Sequence, residues 1–378
     1  MTRAAGEPHA IFIEIYSMRE DEQMRRIVLT GGGTAGHVTP NIALIEALRE
    51  EGWDIHYIGT QDGMERDLIE RVPGVEYHSV PSGKLRRYFD WKNFTDPFKV
   101  MAGSVKAAHL IGKIKPDVVF SKGGFVSVPV VYGAWLHRVP VIVHESDMTP
   151  GLANRLSTPL CRAVCTTFPE AAAAAGSKGV CTGTPLRREL FGGERAKGLK
   201  ICGFSGNKPV LMMIGGSSGA QAVNEALRKA LPKLLPVFDI VHLCGRGNLD
   251  ENLSETRGYR QMEYAREELP HIYACSDVMI SRAGSNTLCE IMALQKPALL
   301  IPYPKAASRG DQILNAESFK SRGLCSVLMQ ENMTPDTLVS AVVEVYKQRR
   351  AIEGAMAACP QRDGTAAVME QIHKYAKR

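Results

Sequence analysis

His37 closes the run Gly31-Gly32-Gly33-Thr34-Ala35-Gly36-His37, in which small residues bare the backbone amides and an imidazole stands beside them. Imidazole accepts a proton near neutral pH, which makes His37 a candidate general base toward a hydroxyl nucleophile. A polar helix-cap residue is the other reading of the same position. The spacing Gly31-x-Gly33-x-x-Gly36 also matches the dinucleotide fingerprint, whose glycines let phosphate approach a helix N-terminus. Ordinary strand-to-helix turns share that spacing, so it does not select NAD by itself.

A second glycine turn, Gly215-Gly216-Ser217-Ser218-Gly219-Ala220, lacks the fingerprint and suits an anion held by free amides and Ser217. Its presence, with His37 in the first helix turn, argues against a dinucleotide. Arg187, in Thr182-Gly183-Thr184-Pro185-Leu186-Arg187-Arg188, can reach a diphosphate or remain a surface cation. The most informative segment is Ser281-Arg282-Ala283-Gly284-Ser285-Asn286-Thr287-Leu288-Cys289-Glu290. A strand ends there in a small-residue turn, and a helix begins. Ser285, Asn286 and Thr287 leave room for phosphates and a base. Glu290 can accept both hydroxyls of a ribose, or serve as an N-terminal helix charge. Asp311-Gln312-x-x-Asn315 opens a further helix with amide and carboxylate groups for sugar hydroxyls. The chain contains no Asp-x-Asp, the usual acidic anchor of a metal-bound nucleotide diphosphate. Helix dipoles and Arg would then neutralise the donor phosphates, which predicts transfer without a metal or other cofactor.

From Arg26 onward, short β-rich runs alternate with helical stretches, the pattern of parallel sheets covered by helices on both faces. Strands are predicted at Ile27–Thr30, Asp54–Gly59, Val75–Val80, Asp117–Ser121 and Pro140–His144. An amphipathic helix is predicted over Pro40–Leu48, with the proline near its first turn. The pattern restarts at Pro209–Ile214, with later strands at Ile240–Cys244, Val278–Ser281 and Ala298–Ile301. Two strand–glycine-turn–helix openings predict an α/β protein of two Rossmann-like domains facing across a cleft, joined by a linker within 183–208. Ligands of such sheets gather at the carboxyl ends of the strands, so donor and acceptor would occupy opposite walls. The expected bounds are 24–185 for a first domain on the acceptor side and 186–363 for a second domain on the donor side. A C-terminal helix over 364–378 is expected to pack back on the first. Residues 1–23 read as a leader, because Met24 looks like a natural start running straight into the first strand.

An apolar fraction of 44% with 23% charged residues describes a soluble globular protein, and a net charge of +6 does not demand nucleic acid. It equally suits an anionic substrate or an anionic membrane surface. Nine cysteines are scattered without a Cys-x-x-Cys pair, which argues against a disulfide framework and fits a reducing cytosol. The most apolar region, Val126–Val143, is broken by Pro129, Gly133, His137, Arg138 and Pro140 and cannot form a spanning helix. Lys84-Leu85-Arg86-Arg87-Tyr88-Phe89-Asp90-Trp91-Lys92-Asn93-Phe94 mixes basic and aromatic residues, as a solvated segment or as a contact for anionic lipid. Nucleic acid has no supporting motif here.

Five segments, in order, resemble the MurG family of glycosyltransferases. They are Gly32-Gly33-Thr34-Ala35-Gly36-His37-Val38-x-Pro40, Gly123-Gly124-Phe125-Val126-Ser127, His144-Glu145-Ser146-Asp147, the Gly215–Ala220 turn, and Ser281–Glu290 with Asp311-Gln312. The resemblance runs from about Arg25 to the C-terminus. It implies a GT-B fold and an inverting, metal-independent transfer of N-acetylglucosamine from UDP-N-acetylglucosamine. The implied acceptor is the muramyl C4 hydroxyl of undecaprenyl-pyrophosphoryl-MurNAc-pentapeptide (lipid I), giving lipid II. By matched position, Thr34, Ala35 and Gly36 would face the acceptor and reacting sugar, with His37 the base. Arg187 and Ser217 would bind donor phosphate, and Ser285, Asn286 and Thr287 the phosphate and nucleotide region. Glu290 would take the ribose and Gln312 the sugar, while Tyr264 and Ala265 would lie beside the uracil. Asp147 stands where the family commonly has Asn, and Ala35 where many members have Gly. The resemblance also implies peripheral attachment to the cytoplasmic face of the cell membrane, with 24–185 an acceptor and membrane domain and 186–363 a UDP-sugar domain. Another GT-B lipid glycosyltransferase, such as a diacylglycerol glucosyltransferase, is the alternative enzyme, and a nucleotide-sugar binder without turnover is the alternative outside catalysis.

Overall fold

The computed structural model describes residues 24–81, 92–216, 219–305, 310–359 and 363–377. The leader, most of the Lys84–Phe94 stretch and Ser217 lie outside these.

The first sheet contains β1 (Arg26–Thr30), β2 (Asp54–Gly59), β3 (Val75–Ser79), β4 (Val118–Ser121), β5 (Val141–Glu145), β6 (Ala163–Thr166) and β7 (Gly179–Cys181). All pairings are parallel, in the order β3-β2-β1-β4-β5-β6-β7. Between them run α1 (Ala35–Glu50), α2 (Met64–Ile69), α3 (Lys92–Ile114), α4 (Ser127–Leu136), α5 (Leu152–Ser157) and α6 (Pro169–Ala174). Central strands such as Val118-Val119-Phe120 are wholly buried, as expected of a parallel sheet covered on both faces.

The second sheet contains β8 (Val210–Ile214), β9 (Asp239–Leu243), β10 (Tyr259–Met262), β11 (Val278–Ser281), β12 (Ala298–Leu300) and β13 (Ser326–Val327), in the order β10-β9-β8-β11-β12-β13. Its helices are α7 (Arg195–Cys202), α8 (Gln221–Leu234), α9 (Leu269–Cys275), α10 (Ser285–Ala293), α11 (Asp311–Ser321) and α12 (Pro335–Ala357). The last helix, α13 (Thr365–Tyr375), returns to the first sheet and inserts Val368, Met369 and Ile372 among Ile27, Phe120 and Ile142.

The chain therefore crosses between the sheets twice, and the two crossings touch. Gly364 N donates to Thr184 O at 3.0 Å, and Leu186 N donates to Asp363 Oδ1 at 3.2 Å. A Cβ on Gly364 would stand 2.5 Å from the Gly183 carbonyl carbon, closer than side chains approach.

Three features differ from the sequence expectation. Helix α1 begins at Ala35, so Pro40 falls in its second turn rather than its first. Proline has no N–H, which leaves the Gly36 carbonyl without its intrahelical donor. Within the 183–208 linker the chain forms helix α7, which the sequence pattern does not signal. Helix α7 lies against α9, where a Cβ on Gly198 would come within 2.0 Å of His271 O, so this glycine serves close packing. Finally, β6, β7, β10 and β13 were not anticipated. β7 and β13 have three and two residues, too few for a periodicity to register.

Candidate active site

Both sheets reverse strand order once, between β1 and β4 and between β8 and β11. Crevices at such reversals, beyond the carboxyl ends of the strands, are where open α/β sheets take ligands. The first glycine turn leaves β1 at the first reversal, while Lys122-Gly123-Gly124 leaves β4 beside it.

The turn is braced from below. Tyr57 Oη donates to Gly31 O at 2.6 Å. The buried Glu65 carboxylate accepts from Gly33 N at 3.2 Å and from Thr60 N at 3.1 Å. Gly32 has no room for a side chain, since a Cβ there would lie 2.6 Å from Glu65 Cδ. Burial favours the neutral acid, yet hydrogen bonds from Thr60 and Gly33 outweigh it and hold Glu65 below its usual range.

His37 stands in the first turn of α1. Its Nδ1 lies 2.9 Å from Gly32 O and 3.2 Å from Thr34 Oγ1. A carbonyl can only accept, so the ring proton sits on Nδ1 and Nε2 keeps its lone pair. Burial lowers the pKa of His37 and Lys122 adds to this, against the opposing pull of the Gly32 carbonyl, Asp147 and Glu65. The ring is therefore neutral at pH 7.

Lys122 was missed by sequence reasoning, although a lysine directly after a buried strand and before Gly123-Gly124 is a readable signal. Its side chain is buried under the turn, where Nζ bonds His144 Nδ1 at 2.7 Å and Ser146 Oγ. Burial pushes the ammonium down to about 8, with Glu145 the largest opposing influence. His144 donates from Nε2 to Gly183 O at 2.8 Å, which leaves Nδ1 to accept from Lys122. Burial and Lys122 hold its pKa well below the ordinary value.

The opposite wall is built on α10, whose N-cap is Gly284 and which opens with Ser285, Asn286 and Thr287. Asn286 Nδ2 donates to Gly36 O at 3.1 Å, joining the two walls. One turn on, Glu290 Oε2 accepts from Tyr273 Oη at 2.8 Å. Burial raises the Glu290 pKa, while Tyr273 and Arg187 pull it down. Among the described residues, Arg187 Nε is buried without a partner. Gln312 Oε1 accepts from Tyr303 N at 3.2 Å, and Ala265 packs against the C-terminal core on the loop after β10. In the second glycine turn, Gly219 N donates to Gly216 O at 3.0 Å just before α8. The structure thus brings Gly36, His37 and Asn286 together, and Arg187 with Glu290.

Asn315 departs from the sequence reading, which offered it to sugar hydroxyls. It is fully buried and bridges the domains: Nδ2 donates to Asp147 Oδ1 at 3.0 Å and to Ala283 O at 3.2 Å. Its Oδ1 accepts from Met148 N at 3.1 Å, and Thr149 Oγ1 bonds Asp311 alongside.

On the first domain's surface, α3, α4 and α5 lie side by side and expose Met101, Val105, Tyr132, Trp135, Leu136 and Leu156. Among the described residues no helix is long and apolar enough to cross a membrane.

Comparison with known proteins adds to this geometry. Residues 27–166 match the glycosyltransferase family 28 N-terminal domain, and residues 210–372 match the glycosyltransferase family 28 C-terminal domain. A UDP-N-acetylglucosamine--N-acetylmuramyl-(pentapeptide) pyrophosphoryl-undecaprenol N-acetylglucosamine transferase of Clostridium botulinum (strain Langeland) is 52% identical over 355 residues, spanning 94% of this chain and 100% of the relative. The like-named protein of Clostridium kluyveri is 52% identical over 353 residues, spanning 93% and 100%. Among solved structures, MurG of Acinetobacter baumannii superposes with a TM-score of 0.75 at 24% identity, over 93% of this chain and 99% of that one. The glycotransferase of kitacinnamycin gives 0.69 at 15% identity, over 94% and 100%. At these identities the two structures speak to the fold, which is GT-B.

Proposed function

The chain belongs to glycosyltransferase family 28, and from that premise we propose that it moves N-acetylglucosamine from UDP-N-acetylglucosamine to lipid I, giving the lipid II of peptidoglycan synthesis. In the proposed step the muramyl C4 oxygen attacks the sugar C1 while the bond from C1 to the UDP oxygen breaks. The hydroxyl proton passes to His37 Nε2 and UDP leaves with the bonding pair. A single displacement of this kind inverts C1. The observation that carries the step is the His37 Nδ1 to Gly32 O hydrogen bond at 2.9 Å, which aims a neutral ring's free nitrogen away from the turn.

Residues of the second domain would hold the donor. The N-termini of α8 (with Ser217) and α10 (with Ser285, Asn286 and Thr287) favour the diphosphate through free amides and the helix dipole, and Arg187 adds a cation. This arrangement supports metal-independent transfer. Glu290 would take ribose hydroxyls on the oxygen that Tyr273 leaves free, Gln312 the sugar, and Ala265 would border the uracil. Thr34, Ala35 and Gly36 would line the acceptor side. Asp147 would act through Asn315 by holding the walls in register, and Lys122 would position the turn. The exposed apolar surface of α3, α4 and α5 supports peripheral attachment to an anionic membrane.

Incubation of the purified protein with radiolabelled UDP-N-acetylglucosamine and either a lipid I analogue or diacylglycerol tests the proposal. Label should appear in the lipid I analogue as a β-linked product, with or without EDTA. Transfer to diacylglycerol alone would assign the other lipid glycosyltransferase activity. Abolition by EDTA would remove the metal-independent mechanism.

A further inference from the structure

Away from the cleft, edge strand β3 and its neighbour β2 carry a second constellation. Their parallel register sets His56 beside Glu76 and Ile58 beside His78. Residues two apart share a face, so Asp54, His56, Glu76 and His78 project to one side of the sheet. That side is the one α3 covers, where Ile58, Val80, Ala107 and Ile111 form a single core cluster.

Among the described residues, His56, Glu76 and His78 form the one group of three possible metal ligands whose atoms lie within 4.8 Å of one another. His56 Nδ1 is 3.0 Å from His78 Nε2 and 3.4 Å from Glu76 Oε2, and His78 Nε2 is 3.6 Å from Glu76 Oε1. Ligands about 2.05 Å from a tetrahedral zinc ion stand roughly 3.3 Å apart, so these separations already approximate one face of its coordination shell. Asp54 Oδ2 lies 3.4 Å from His56 Nε2. A carboxylate behind the distal nitrogen of a ligating histidine fixes its tautomer and raises its basicity. The two imidazoles are held by the fold, with side chains 9% and 16% exposed, whereas Glu76 at 68% faces solvent and leaves an entry path.

We propose that His56 Nδ1, His78 Nε2 and a Glu76 carboxylate oxygen bind one divalent transition-metal ion, with zinc the best match and water in the fourth position. Two imidazoles disfavour magnesium and calcium, which take oxygen ligands. The ion ties β3, which among the described residues has a neighbouring strand on one side only, to β2 and the sheet interior. Without metal, one imidazole donates to the other across the same 3.0 Å.

The full-length protein, stripped with chelator and dialysed, is titrated with Co²⁺ and then with Zn²⁺. One Co²⁺ per chain should bind with the visible bands of a tetrahedral N/O site, and Zn²⁺ should displace it and raise Tm. His78→Ala should lose the bands and the Tm response. Glu76→Ala, at an exposed position where folding is not at stake, should weaken binding, and Asp54→Asn should weaken it by about 10–100-fold. Glu76→Ala should also retain the wild-type transfer rate, so loss of this ion and failure of the cleft chemistry are told apart. The proposal fails if the wild-type protein binds no Co²⁺. It also fails if both ligand variants bind like wild type, or if the spectrum shows the intense near-ultraviolet band of a thiolate ligand, which would assign the ion to cysteines.

Discussion

The Asn286 side-chain amide donates across the cleft to the Gly36 carbonyl, 250 residues away in sequence, at 3.1 Å. The acceptor is available because Pro40, four residues on in α1, has no N–H to engage it. A proline that weakens the helix thus supplies the oxygen through which the second domain grips the first glycine turn.

Separate substitutions test the two halves of this arrangement. Asn286→Ala removes a neutral hydrogen bond of about 0.5–1.5 kcal/mol, so kcat/KM for transfer should fall about 2–10-fold. Pro40→Ala restores a helix-interior hydrogen bond and relieves a clash worth up to about 3 kcal/mol. Tm should rise while kcat/KM falls. A variant both more stable and fully active would show that the freed carbonyl contributes nothing to transfer.

His37→Ala should lower kcat by about 10²–10⁴-fold, the usual worth of a general base. In the wild type, burial holds the imidazole pKa below 6.5. A base works unprotonated, so the kcat/KM profile should stay flat through pH 7 and fall only below pH 6.5. Rate against pH checks both points, and an acid limb unchanged in His37→Gln would assign it to another group.

Glu290→Ala should raise KM for the UDP-sugar, since hydrogen bonds to a charged group are worth about 1.5–3 kcal/mol, roughly 10–150-fold. Tyr273→Phe removes the hydroxyl that occupies Glu290 Oε2 at 2.8 Å and should raise KM by a smaller factor with little change in kcat. Steady-state kinetics with UDP-N-acetylglucosamine as the varied substrate would show an unchanged KM if this carboxylate is only a helix charge.

Acid should destabilise the second domain through His242. Its Nδ1 meets Tyr259 Oη at 2.7 Å and its Nε2 meets Asn224 Oδ1 at 3.0 Å, and burial, with Arg228, lowers its pKa from 6.5 to about 3. Between those values the unfolded chain binds a proton that the folded chain refuses. Stability therefore falls as pH drops through that window, by about 1.4 kcal/mol per pH unit from this one group. Urea unfolding from pH 7 to 4 should show a slope shallower by that amount in His242→Gln.

How legible these features were depended on sequence distance. The first glycine turn, His37 and Glu290 belong to strand–turn–helix segments whose place in the fold follows from local spacing, and the parallel sheets followed from the alternation of β-rich and helical runs. Pairings made by the tertiary fold were invisible. Lys122 and His144 are 22 residues apart, and Asn315 and Asp147 are 168 apart. Asn315 looked like a sugar ligand because an asparagine early in a helix has the right chemistry. Its burial, which withdraws it from any sugar, depends on a domain contact that no local pattern encodes.

The Gly364 contact on the Gly183–Thr184 peptide has a mechanical consequence. Two chain crossings bonded at one place act as a pivot, whereas a single tether would let the domains wander in every direction. Any relative movement of the domains would have to pass through that point, with each domain as a lever arm. A small twist at residues 183–186 and 363–364 then becomes a larger travel at the far lip of the cleft. The Asn286–Gly36 hydrogen bond, at 3.1 Å, is one contact such a twist would break.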